Sequence, residues 1–147
     1  ETHIATFQFM GDMGNYFSDS KKPSYLQIFG EVHDSQKKDE IYKQADVLIL
    51  TSEREGFPMV IMEAMMNGVI PLTTNVGGIP YHVTDQKNGL LINSNNEQEI
   101  VKQMSDWITR LNKDQTLFIN LSRQAYEYAH QHFTIEQFQK NYLNLFS

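Results

Sequence analysis

Cysteine is absent from the 147-residue chain, which excludes disulfides, thiolate metal ligands and thiol nucleophiles and fits a reducing compartment. Any chemistry therefore rests on oxygen and nitrogen groups. A basic excess is missing too: twelve Lys and Arg stand against eighteen Asp and Glu, for a net charge of −6. That balance gives no general attraction to a phosphate backbone or an anionic membrane, so nucleic acid is not an expected partner. The longest apolar runs, Val47 to Leu50 and Met59 to Met62, are far too short to cross a bilayer, and no charged-then-apolar leader opens the chain. A soluble domain without a transmembrane segment is the expectation. Repeats, low-complexity tracts and Pro/Gly-rich linkers are lacking as well, while 40% hydrophobic residues suffice for a real core. Residues 1–147 therefore read as a single domain. Glu1 in place of an initiator Met, with an apolar pattern close behind it, predicts a piece of a longer protein.

Alternation of apolar and polar residues predicts a first strand over Ile4 to Met10. Short apolar runs predict four more, over Tyr25 to Phe29, Val47 to Thr51, Val69 to Thr74 and Leu90 to Ile92. The last follows Lys87-Asn88-Gly89, where Asn and Gly tolerate a positive φ. Helical character falls between them: weakly over residues 15–21, then over Ser35 to Gln44, Pro58 to Asn67 and, briefly, Ile79 to Thr84. Strand and helix alternate, which predicts βαβ units and a parallel sheet covered on both faces, with a ligand site at the carboxyl ends of the strands. The last third is all helical. Ile100, Met104, Trp107, Ile108 and Leu111 form an amphipathic stripe behind a capping-box pattern, Ser94-Asn95-Asn96-Glu97. A second helix carries Leu117, Leu121, Ala125 and Tyr128. A third carries Ile135, Phe138, Tyr142 and Leu145 after Thr134-Ile135-Glu136-Gln137, another such pattern.

The stretch from Thr51 to Gly68 runs from a strand end to a helix end. Pro58 suits the first helical position, where a missing N–H costs nothing, and Gly68 suits the residue just past the end. Such a helix offers unpaired N–H groups and the positive end of its dipole, and Gly56 lets a ligand approach the main chain. That geometry suits a phosphate. Glu55 and Glu63 are eight residues apart, about 12 Å along a continuous helix at ~1.5 Å per residue. Glycosidases hold their two carboxyls about 5 to 9.5 Å apart, so this pair is too widely spaced to flank one bond. Two carboxylate acceptors with donor amides between them instead describe a receptor for a sugar, a diphosphate and a ribose.

Glu55 and Glu63 stand as an E-x7-E motif, framed by Ser52-Glu53-Arg54-Glu55-Gly56-Phe57-Pro58 and by Glu63-Ala64-Met65-Met66-Asn67-Gly68. Further on come Thr74-Asn75-Val76-Gly77-Gly78-Ile79-Pro80 and Asn88-Gly89-Leu90-Leu91, and upstream Ile28-Phe29-Gly30-Glu31-Val32 and Ile41-Tyr42-Lys43-Gln44-Ala45-Asp46-Val47. In these motifs the chain resembles the retaining glycosyltransferases of group 1, family 4. Nearly its whole length is similar to their C-terminal, nucleotide-sugar-binding domain, starting at about the second strand. The resemblance implies a Rossmann-like parallel sheet with flanking helices, the C-terminal half of a GT-B fold, ending in an all-helical segment.

It further implies transfer of a sugar from a nucleotide donor to an acceptor with retained anomeric configuration, as in polysaccharide biosynthesis. By the same resemblance Glu55 is the catalytic carboxylate, contacting hydroxyls of the donor sugar, and Glu63 contacts the ribose. The main chain at Gly56, Phe57 and Pro58, and the Gly77-Gly78 turn, lie in the donor site. Val32, after Gly30, marks where the base is held. A front-face mechanism, with the leaving phosphate helping to deprotonate the acceptor, is the one usually favoured for the family. No cofactor and no metal are implied. The acceptor, a glycan, lipid or other molecule, belongs mainly to an N-terminal domain that this chain lacks, so the chain alone is expected to be inactive. Full-length members are cytoplasmic, often on the inner face of the membrane. Two features depart from the family: the Arg and Lys that neutralise the diphosphate have no counterpart here, and Tyr81 stands where Glu often follows Gly-Gly-x-Pro.

Singly, Glu55 and Glu63 read as a solvated loop carboxylate and a helix-surface charge, and Gly77 and Gly78 as a tight turn. His3, His33, His82, His130 and His132 have no metal-like spacing, and His33 reads as an exposed loop residue. Met59, Met62, Met65 and Met66, at helical spacing, are expected in the core, as are Tyr126, Tyr128, Phe133 and Phe138 as helix-packing residues. Two other functions compete. A GT-B-like sugar-nucleotide epimerase would bind a similar donor. A receiver-type interaction module would need an acidic pocket at the first strand end, where only Asp12 stands, and it leaves the Glu55 to Glu63 segment unexplained.

Overall fold

The computed structural model describes residues 4–12 and 22–144. It comprises two units, residues 1–45 and residues 46–147. In the first, β1 (Phe7–Met10) pairs in parallel with β2 (Leu26–Gly30), Phe7 opposite Leu26 and Phe9 opposite Ile28. β1 is shorter than its alternation predicts, and Ile4 is 58% exposed. Alternation makes a strand only where a partner lies alongside, and the pairing with β2 starts at Phe7. Gly30 has φ +69°, a left-handed conformation that turns the chain into Glu31-Val32-His33. Next comes α1 (Ser35–Lys43), whose N-cap Asp34 accepts from the Lys37 N–H at 2.7 Å and which buries Ile41 and Tyr42. The weak helix expected over residues 15–21 lies outside the described residues.

The second unit is built on β3 (Val47–Leu50), β4 (Ile70–Thr74) and β5 (Leu90–Ile92), parallel and in the order β3-β4-β5. Every residue of β4 is buried, as expected of a central parallel strand. Successive side chains alternate between the two faces. Ile70, Leu72, Leu90 and Ile92 meet Met104 and Leu111 of α3 (Glu97–Lys113) and Leu121 of α4 (Gln115–His132). On the other face Leu48, Leu50 and Leu91 meet Ile61 and Met65 of α2 (Met59–Met66), together with Ile79, Val83 and, from α4, Ala125 and Ala129. Full burial of a side chain such as Leu72 stabilises the fold by about 1.5–3 kcal/mol. Both faces are covered, as the alternation of elements predicts. The helical stripe over Ile100 to Leu111 packs as expected, and α4 serves both faces.

Pro71 sits in the central strand, where a missing donor usually forbids it. Ile70 donates to Asp46 on the β3 side at 3.0 Å, so the next residue points toward β5, whose pairing with β4 begins only at Leu72 opposite Leu90. Gly89 packs against this proline: a Cβ there would stand 2.7 Å from Pro71 Cγ and 2.6 Å from Val83 Cγ1. The positive φ expected at Asn88-Gly89 is instead at Gln86, with φ 56°. Gly89 is required for space, and Asn88 is buried as a brace, accepting from the Thr84 N–H at 2.7 Å and donating to the His82 carbonyl at 2.9 Å.

Local signals mislead at a few other places. The capping residue of α3 is Asn96, which accepts from the Glu99 N–H at 3.0 Å, while Ser94 only accepts from the Asn96 N–H. Either residue has the chemistry, and the chain turns helical at the later one. At α5 (Ile135–Asn144) the capping pattern holds, with Gln137 N–H donating to Thr134 Oγ1 at 3.2 Å. Yet Phe138 is 70% exposed and Ile135 and Tyr142 are exposed too, so this stripe is not core among the described residues; Leu145 lies outside them. Met59 is 68% exposed on the first turn of α2, unlike Met65, because the buried face of that helix is set by Ile61, Ala64 and Met65.

Candidate functional site

β3 and β4 run in parallel with Leu50 opposite Thr73, so the loops that follow them leave the sheet side by side at its carboxyl edge. The first, residues 51–58, carries Glu55, Gly56, Phe57 and Pro58 and feeds α2. The second, residues 75–78, carries Gly77 and Gly78 and feeds a 3₁₀ turn at Ile79–Tyr81. The Gly78 N–H donates to the Gly56 carbonyl at 2.7 Å. Gly77 adopts φ +55°, and a Cβ on it would collide with the Glu55 carbonyl oxygen; one on Gly78 would stand 2.5 Å from the Gly56 oxygen. Here the two glycines serve the packing of one loop on the other.

The Glu55 side chain is held within its own loop, Ser52 Oγ donating to Oε1 at 2.6 Å. Thr74 Oγ1, at the end of β4, donates to the Ser52 carbonyl at 2.6 Å. Beyond Glu55 the loop is anchored by Phe57, whose ring centre lies 4.4 Å from that of His82 and 5.4 Å from that of Phe133. His82 Nδ1 is 3.1 Å from the Tyr128 hydroxyl, and the Tyr128 ring stacks on His132 at 4.2 Å. Burial lowers the His82 pKa from its ordinary 6.5, and repulsion from His132 adds to this. Burial also pushes the Tyr128 phenol above 10.0. A neutral imidazole and a protonated phenol result, which suits an O–H donated to Nδ1. Phe57 thus points into an aromatic cluster that fixes this part of the loop.

Pro58 is the N-cap of α2, with ψ 131°, one residue earlier than expected. Its ψ is extended, so helical conformation begins at Met59, and no side chain caps that end. The first N–H groups of α2 and the positive end of its dipole are left for solvent or a ligand. At the other end Gly68, with φ +75°, ends the helix as expected. Ser122 of α4 donates to the Gly68 carbonyl at 2.7 Å. Glu63 is half-buried in the middle of α2, and its carbonyl accepts from Asn67 Nδ2 at 3.0 Å.

Glu55, Gly56, Gly77 and Gly78 are therefore brought into contact, with Phe57, Pro58 and Glu63 following on the same loop and helix. Val32 belongs to the first unit, half-buried in the loop between β2 and α1. Its neighbour His33 is exposed beside Glu31, 3.3 Å away. Ser52, Thr74, His82, Tyr128 and Phe133 are the residues around Glu55 and Phe57 that sequence reasoning misses as parts of a site. Ser52 and Thr74 carry a signal, their places in the Ser-x-x-Glu and Thr-Asn-Val-Gly-Gly stretches; the other three carry none. An open depression at the α3–α4 turn, lined by Asp106, Thr109, Arg110 and Lys113 among others, contains none of these residues. Among the described residues no three His, Asp or Glu side chains converge as they would on a metal ion. No helix among them is long and apolar enough to cross a membrane.

Parallel strands covered by helices on both faces, with carboxyl-end loops that meet beside an uncapped helix N-terminus, define an α/β protein of the doubly wound kind. The family described as Glycosyl transferases group 1 matches residues 22–137, and the chain belongs to it. An N-acetyl-alpha-D-glucosaminyl L-malate synthase of Bacillus anthracis is 31% identical over 107 residues, 73% of this chain and 27% of that relative. The chain spans 16% to 27% of the length of the curated relatives it matches. Among solved structures, Alr3699/HepE of Anabaena in complex with UDP-glucose is similar with a TM-score of 0.78 at 18% identity, over 96% of this chain and 40% of that one. The C-terminal domain of the group 1 family protein LpcC of Francisella tularensis is similar with a TM-score of 0.64 at 24% identity, over 76% of this chain and 55% of that one. At these identities the likeness establishes the fold: mixed α/β with parallel sheets and flanking helices, as in the C-terminal domains of GT-B glycosyltransferases.

Proposed function

We propose that this chain is the donor-binding domain of a retaining glycosyltransferase that transfers a hexosyl unit from a nucleoside-diphosphate sugar to a glycan, lipid or other acceptor. The observation that carries this reading is the locked Glu55 loop at the carboxyl edge of the sheet, one carboxylate oxygen held by Ser52 and the main chain packed on Gly77 and Gly78. A fixed acceptor of this kind suits sugar hydroxyls, while the uncapped start of α2 suits the diphosphate. Glu63, on the same helix, takes the ribose hydroxyls. In the transfer, the bond from the sugar C1 to the diphosphate oxygen breaks and the acceptor oxygen bonds C1 from the same face. The acceptor proton passes to the leaving phosphate. No metal or other cofactor takes part. The acceptor binds mainly to a part of the protein outside this chain, and the whole works in the cytoplasm, peripheral to the membrane.

The test is a panel of nucleotide sugars offered to the intact protein, starting with UDP-glucose because the Anabaena neighbour is described in complex with it. Product anomers are read by NMR. The reading expects one donor to be consumed with net retention, and a raised donor KM in Glu63→Gln. Inverted product contradicts the retaining mechanism. A sugar-nucleotide product epimerised in place, with no transfer, contradicts the transferase.

A further inference from the structure

The side-chain position of Glu55 is set by a chain of hydroxyls reaching into the core. Thr74 closes the central strand and is only 3% exposed. Its hydroxyl donates across the fold to the Ser52 carbonyl at 2.6 Å, between residues 22 apart in sequence. The pairing of β3 with β4 extends only to Leu50 opposite Thr73. Beyond the last rung, the threonine side chain therefore takes the place of a ladder bond. Thr73 cannot substitute for it, because its own hydroxyl is spent on the Thr74 carbonyl at 2.8 Å.

Fixed in this way, Ser52 donates its hydroxyl to Glu55 Oε1 at 2.6 Å. A short bond to a carboxylate is of the stronger, charge-assisted kind. It goes to a side chain three residues on, whereas an ordinary serine turn bonds the backbone. Its effect is to select one rotamer of Glu55, not to close the loop, which Gly77 and Gly78 already do. Oε2 is engaged by no described residue, which leaves it free to accept from a ligand hydroxyl while Oε1 is held by Ser52.

We infer that Ser52 and Thr74 are positioning residues, Thr74 orienting Ser52 and Ser52 orienting the Glu55 carboxylate toward the donor sugar. The inference rests on the reading of Glu55 as the donor-sugar contact. Neither residue touches the substrate in this account; both act through Glu55. A misplacement of the carboxylate by about 1 Å is the kind of error that costs about a hundredfold in rate.

The experiment is steady-state turnover of the nucleotide sugar by the intact protein in six forms: wild type, Ser52→Ala, Thr74→Val, Thr74→Ser, Glu55→Gln and Ser52→Ala with Glu55→Gln. Ser52→Ala should lower kcat about tenfold to a hundredfold while donor KM moves less than about threefold. Thr74→Val should fall in the same direction, and Thr74→Ser, which restores the hydroxyl, should recover most of the loss. Since Ser52 acts through Glu55, adding Ser52→Ala to Glu55→Gln should cost nothing further, a non-additivity that general loosening of the loop would not produce. Should Thr74→Val fail to fold, the serine variants and the double variant decide. Wild-type kcat in Ser52→Ala, or additive losses in the double variant, overturns the inference and leaves the donor-site reading intact provided Glu55→Gln is impaired. Full activity of Glu55→Gln overturns both.

Discussion

Gly78 gives its N–H to the carbonyl of Gly56 at 2.7 Å, and this one bond joins the loops that follow two neighbouring strands. No side chain fits between them. At Gly78 the constraint is space, with the Gly56 oxygen 2.5 Å from where a Cβ would stand; at Gly77 it is both space and a φ of +55°. Gly56 itself has nothing within 4 Å of its Cβ direction and no left-handed φ. Alanine at the three positions should therefore separate sharply. Gly78→Ala and Gly77→Ala should each destabilise the protein by about 1–3 kcal/mol, the range of an overpacked core. Gly56→Ala should stay within about 0.5 kcal/mol. Denaturant midpoints measure this, and equal effects at Gly56 and Gly78 would contradict the interlocking of the loops.

The turn before β5 offers a second pair with opposite signs. Gly89 is pressed on Pro71 and Val83, so Gly89→Ala should be destabilising. Gln86 holds φ 56° with a side chain attached, a conformation that costs an ordinary residue roughly 1–2 kcal/mol. Gln86→Gly relieves that strain at some cost in chain entropy and should raise the melting temperature slightly. A fall for Gln86→Gly together with tolerance of Gly89→Ala would reverse the assignment of roles in this turn.

Acid should weaken the anchor of Phe57. His82 has its pKa lowered from 6.5 by burial and by His132, so between the folded value and 6.5 the unfolded chain binds more protons than the folded one. Stability then rises with pH across that interval. The contribution is complete above about pH 6.5, the unfolded value, and is lost as pH falls through the folded value. Melting temperature should decline on acidification below about pH 6.5, and His82→Gln should flatten that part of the profile. Parallel profiles for the two proteins would exclude His82 as the source.

Much of this is legible in the residues where the controlling interactions are local. β5 is bounded as its apolar run predicts, α3 and α4 bury the faces that their periodicity marks, and the Ser-x-x-Glu-Gly-Phe-Pro stretch locates the loop that carries Glu55. What escapes sequence reasoning is set by contacts distant along the chain. Thr74 and Ser52 meet across 22 positions, His82 and Tyr128 across 46, and no spacing rule joins them. Gly89 looks like a turn glycine and is instead a contact glycine, because the proline it accommodates lies one strand away. The α5 stripe obeys helical periodicity without saying what it faces. Ser94 misses its expected capping position because Asn96 has equally suitable chemistry, and Pro58 stands at the cap itself, one residue before its expected first helical position.

Turnover of the nucleotide sugar by the intact protein and by Glu55→Gln, side by side at saturating donor, tests the central claim most directly. The substitution keeps the shape of the side chain while removing its charge. A fall in kcat of a hundredfold or more, roughly the loss of one preorganised electrostatic contact, with an unchanged melting temperature, is the predicted result. Glu55→Gln turning over at the wild-type rate would contradict the assignment of this loop to the donor sugar.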